Sequence, residues 1–77
     1  MSELEELKNL IYNIEEYDND RAMAVVLINA AIEIYPKDPG LARELVWTIR
    51  YTTMRRNYDY DWERVYHKAF ELEMKDI

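Results

Sequence analysis

The sequence predicts an all-α fold: a small four-helix bundle, or paired antiparallel helical hairpins, with the second helix central. Three observations carry that expectation. Apolar residues recur at three- and four-residue spacing in several windows. One glycine and two prolines in 77 residues leave too few turn formers for an all-β domain. Helix-starting and helix-stopping residues punctuate the chain at short intervals, which implies antiparallel neighbours. An apolar fraction of 49% suffices for a core, so residues 1–77 are expected to form a single helical domain.

Ser2 followed by Glu5 is a capping box, and it predicts a first helix starting at Glu3. Leu4, Leu7, Ile11 and Ile14 then form a stripe of two heptads, with Leu10 beside them. Tyr17-Asp18-Asn19-Asp20 ends that helix, and Asp18 or Asp20 can cap the next. The second helix, about residues 21–35, carries apolar residues on every side, from Ala22 through Ile34. Such a helix is expected to be enclosed, either by its own chain or by another copy. Pro36 stops it, and Asp38 with Pro39 starts a third helix running to about Arg56.

On the third helix, Ala42, Val46, Ile49 and Thr53 share one side, while Arg43, Trp47, Arg50, Tyr51 and Met54 lie opposite. Asn57-Tyr58-Asp59 reads as a turn, with Asp59 capping a fourth helix. Trp62, Val65, Ala69 and Leu72 supply its core stripe, joined by Tyr66 and Phe70. Ala24, Ile28, Ala31, Ile32 and Pro36 resemble the closing helix of a tetratricopeptide unit. No second copy follows, so a repeat array is not expected.

The net charge of −6 is unevenly distributed. Residues 1–20 hold seven acids and one base, whereas residues 21–77 hold nine of each. That acidic field disfavours nonspecific nucleic-acid binding. The chain lacks cysteine, which excludes disulfides and thiolate metal sites and fits a cytoplasmic location. Glu3, Glu5 and Glu6 stand where a secretory signal would carry bases, and no apolar run is long enough for a bilayer, so no membrane contact is expected.

No residue constellation points to catalysis. One histidine, one glycine and no paired nucleophile and base leave neither a metal centre, nor a phosphate loop, nor a triad. The chain is therefore expected not to be an enzyme and to need no cofactor. Two surfaces could serve a protein partner. The first is the acidic first helix, whose Glu5, Glu6, Glu15 and Glu16 are expected to lie away from its leucine stripe and suit a basic partner in the manner of small acidic inhibitors or adaptors. The second is the Arg-aromatic side of the third helix: Arg43, Trp47, Arg50, Tyr51 and Arg55.

The two surfaces could also meet each other in a homo-oligomer. Val25, Ile28, Asn29 and Ile32 are the expected oligomer interface, with a buried Asn29 fixing register. The alternative is a small-ligand binder that holds a nucleotide or similar anion between Trp47 and its flanking arginines. Seven tyrosines, Tyr60 near Trp62 among them, either close the ends of the core or belong to an interface.

Overall fold

The computed structural model describes residues 2–56 and 59–75. Within them lie α1 (Glu3–Tyr12), α2 (Asn19–Ile34), α3 (Pro39–Thr53) and α4 (Tyr60–Met74), with a short 3₁₀ turn, Met54–Arg56, ending α3. The helices form a ring in which α1 touches α2 and α4, and α3 touches α2 and α4. No strand is present among the described residues, and no helix there is long and apolar enough to cross a membrane. The Asn57-Tyr58 part of the expected turn lies outside the described residues.

Each helix starts where its cap predicts. The Ser2 hydroxyl accepts from the Glu5 amide at 3.2 Å. Asp18 accepts from the Arg21 amide at 3.0 Å, and Asp38 accepts from the Leu41 amide at 3.1 Å ahead of Pro39. These side chains satisfy amides that have no partner within the helix. Asp59 is the exception. It occupies the N-cap position of α4 but makes no side-chain cap bond, because its carboxylate is bound to Arg56.

The first helix is shorter than its stripe predicts. α1 ends at Tyr12, and residues 13–17 are an irregular connection. The cause is in α2: the Arg21 side chain donates to the Ile14 carbonyl at 3.1 Å and to the Tyr12 carbonyl at 3.3 Å. Carbonyls that would need further helical turns, or water, are satisfied by a guanidinium instead. Ile14 keeps its place in the core even so, at the head of the connection.

The core is one cluster drawn from all four helices. Leu4, Leu7 and Ile11 meet Ala24, Ile28 and Ala31 from α2, Ala42, Val46 and Ile49 from α3, and Trp62, Val65, Ala69 and Leu72 from α4. These are the stripes the spacing predicts. The alanines let the backbones approach, and the branched residues and Trp62 fill the space between.

The enclosure expected of α2 is corrected by the structure. α2 is central only in lying between α1 and α3, and its remaining side faces outward. Val26 is 68% exposed and Met23 49%. Ala22 and Ala30 are exposed beside them. An apolar composition does not by itself force burial, since over half of a folded protein's surface is apolar. Asn29 is exposed rather than buried, and its amide donates to the Tyr12 hydroxyl at 3.1 Å. Ile28 belongs to the chain's own core, with Val25 and Ile32 packed against it. The apolar surface that α2 offers outward is therefore Met23 and Val26, not those residues.

Ile28→Ala is expected to lose about 3 kcal/mol of stability through the cavity it leaves. Val26→Glu is expected to change stability by no more than about 0.5 kcal/mol. Urea denaturation of both variants checks this; equal losses would mean that the outer side of α2 is covered.

Candidate functional site

The arginines decide which surfaces are free. Arg56, at the end of the 3₁₀ turn, lies among four carboxylates. Its Nη1 donates to Asp18 at 2.6 Å and to Asp20 at 3.2 Å, its Nη2 to Glu16 at 3.0 Å, and its Nε to Asp59 at 2.9 Å. Its guanidinium carbon stands 5.1 Å from the centre of the Trp62 ring. Burial alone would lower the guanidinium pKa, but the bonds to Asp20, Asp59 and Asp18 outweigh it and raise the value. A planar group with five donors can hold partners in several directions at once, which a lysine cannot.

The other arginines of the third helix and its terminal turn are also engaged. Arg50 binds Glu73 through its Nε, and that bond is the main reason its pKa is raised. Arg55 reaches Asp20 at 3.3 Å. Arg43 donates to the Lys75 carbonyl at 2.7 Å. The Arg-aromatic surface expected on the third helix is thus largely an internal pairing surface as far as its charges go.

Its aromatic members face outward. Trp47 and Tyr51 are exposed and stack with their ring centres 5.5 Å apart. Arg50, on the same helix, reaches α4, with its guanidinium 5.4 Å from the Phe70 ring and 6.0 Å from Tyr66. Tyr66 and Phe70 themselves stack at 6.3 Å. Met54, Phe70 and Met74 are exposed as well. The spacing of Trp47, Tyr51 and Met54 made the α3 half legible. Phe70, whose spacing makes it an accessory of the fourth helix's core stripe, belongs instead to this outer surface.

The acidic set does not form one helical face. Glu5 and Glu6 lie in the first turn of α1, where negative charge favours the helix dipole. Glu6 pairs with Lys68 at 2.6 Å. Glu15 and Glu16 lie beyond the end of α1, in the connection to α2. There they share a cleft of about 410 Å³ with Ile14, Asp59, Tyr60, Asp61 and Trp62. Glu16 and Asp59 are held by Arg56. Glu15 and Asp61 have no ion pair among the described residues. Local spacing cannot join Asp59, Asp61 and Trp62 to Glu15, because some forty residues separate them.

His67 is exposed, 3.5 Å from Glu63. No group of three or more histidine or acidic side chains among the described residues converges on a possible metal position. No protein family model, curated protein or solved structure matches the chain.

Asp18 ties the Arg56 cluster to pH. The Arg21 amide, and then Arg56, hold its pKa below the ordinary 3.8 despite the opposing effect of burial. A carboxylate whose pKa falls on folding stabilises the native state above its unfolded value. That contribution is lost as pH drops from about 3.8 through the lower folded value. Asp18→Asn keeps a capping oxygen but removes the charge. Urea midpoints are therefore expected to be lower for Asp18→Asn than for wild type at pH 7, with the gap closing below pH 3.8. A gap that persists unchanged into strong acid would contradict a charge-based role.

Proposed function

We propose that the chain is a non-catalytic protein-binding module that docks through the aromatic and methionine surface shared by α3 and α4, and that it does so as a homo-oligomer. The observation that carries this reading is the exposed set Trp47, Tyr51 and Met54 from α3 and its terminal turn and Phe70 from α4, in which Trp47 stacks on Tyr51 and Arg50 lies over Phe70. Exposed aromatic and apolar side chains concentrated on two packed helices are characteristic of interaction sites. Trp, Tyr, Met and Arg are also the residue types enriched at interface centres. The Trp47–Tyr51 stack, and Arg50 held by Glu73 against Phe70, order three of these side chains before any partner arrives, which lowers the entropy cost of docking.

A second copy is the first partner this surface suits. Pairing it about a two-fold axis sets identical apolar surfaces against each other. The chain is small, and burying more apolar area is one of the few stabilising routes left to a domain without disulfides or metal. The acids of α1 and its connection act as the surrounding field, steering the approach of a basic partner rather than forming the contact itself. No specific observation favours the nucleotide-binding alternative, since Arg50 and Arg55 are already paired with carboxylates.

Sedimentation of the wild-type chain at high micromolar concentration is expected to give a mass above the 9.4 kDa monomer. Trp47→Ala with Phe70→Ala is expected to return it to monomer with unchanged helicity by circular dichroism. A wild-type chain that stays monomeric throughout would remove the self-association reading.

A further inference from the structure

Methionine normally fills irregular gaps in a core and is among the residue types most often buried. The methionines among the described residues do the opposite. Met23 is 49% exposed, Met54 46% and Met74 74%. Leucine, isoleucine, valine, alanine and Trp62 build the core without them. The chain has no cysteine, so thioethers are its only sulfur groups.

Two of these methionines border the aromatic surface. Met54 follows Tyr51 by three residues at the end of α3, and Met74 follows Phe70 by four on α4. Those spacings set side chains next to each other along one side of a helix. Met23 lies apart, on α2. A thioether is apolar and polarisable and packs well against aromatic rings. Its sulfoxide is polar, and burying it without a hydrogen-bond partner is costly. One added oxygen therefore turns a side chain that favours an apolar contact into one that opposes it.

We propose that Met54 and Met74 are peroxide-sensitive modification sites, and that their oxidation to sulfoxide prevents two chains from pairing through the α3–α4 surface. This inference rests on the docking reading above and adds its regulation. In the reaction the sulfur lone pair attacks one oxygen of hydrogen peroxide and the O–O bond breaks. The departing hydroxide takes the proton from the oxygen now on sulfur and leaves as water. Sulfur is oxidised by two electrons and the peroxide is reduced by two. Pairing covers Met54 and Met74, so peroxide reaches them in the free chain, and each oxidised chain is withdrawn from the equilibrium by mass action.

The test treats the full chain with dilute hydrogen peroxide at neutral pH and reads sulfoxide at each methionine by peptide mass. Met23 and Met54 are almost equally exposed in the single chain, which makes Met23 an internal reference. Oxidation of Met54 and Met74 is expected to slow relative to Met23 as protein concentration rises through the micromolar range. Sedimentation of the fully oxidised chain is expected to show pairing weakened by at least about tenfold, with helicity by circular dichroism unchanged. In Met54→Leu with Met74→Leu, association measured before and after peroxide is expected to differ by no more than about twofold, since leucine matches the volume and does not oxidise. Pairing that survives full oxidation at both positions would overturn the proposal and leave the docking reading intact. Equal weakening in the leucine variant, or lost helicity on oxidation, would also overturn it, by placing the effect at other residues or in unfolding. A chain that sediments as a monomer before any peroxide is added would remove the docking reading, and this inference with it.

Discussion

One guanidinium determines how this bundle closes at its acidic end. Arg56 binds the connection between α1 and α2 through Glu16 and Asp18, the start of α2 through Asp20, and the entry to α4 through Asp59. It also covers the Trp62 ring. Two stretches distant in sequence, residues 16–20 and 56–59, are joined at one charge, so the acids that would repel one another are brought together instead. Removing a partner from such a cluster leaves charge uncompensated at a partly covered position, which is why it constrains more than an isolated surface pair. The cleft is a consequence of this arrangement: Glu16 and Asp59 are held in place, and Glu15, Tyr60 and Asp61 are carried along beside them.

The remaining surface divides by how its charges are satisfied. Where arginines reach α4 or α2, their charge is matched within the chain, and what projects is aromatic and apolar. Where the chain turns between α1 and α2, acids outnumber their matches, and what projects is negative. The same 77 residues thus present an apolar docking surface across α3 and α4 and a negatively charged cleft at one end. Both lie outside a core that uses narrow stripes from each helix.

The stripes were legible because helical periodicity is local. Leu4, Leu7 and Ile11, the series Ala42, Val46, Ile49 and Thr53, and the series Trp62, Val65, Ala69 and Leu72 are all buried where their spacing predicts. The caps at Ser2, Asp18 and Asp38 were legible for the same reason. What the sequence did not reveal are choices made between distant segments. Nothing near Tyr12 says that Arg21 will take its carbonyl, so α1 stops earlier than its stripe. Nothing in the run from Ala22 to Ile34 says which side lacks a neighbour, so Val26 is exposed despite its composition. Arginines beside tryptophan look alike whether free or paired, and Arg50 and Arg55 proved paired. Arg56, the residue that joins four carboxylates, stands in a run of polar residues with no pattern to mark it.

The central claim is that the Arg56 side chain is fixed against Trp62 and its carboxylates in solution. Nuclear magnetic resonance of the arginine side chains tests this directly, through the exchange rate of the Arg56 Nε proton and its cross-relaxation with the indole ring. Slow exchange at neutral pH with contacts to Trp62 protons is the result the structure requires. An Arg56 Nε proton that exchanges as fast as that of an exposed arginine, with no contact to the indole, would contradict it.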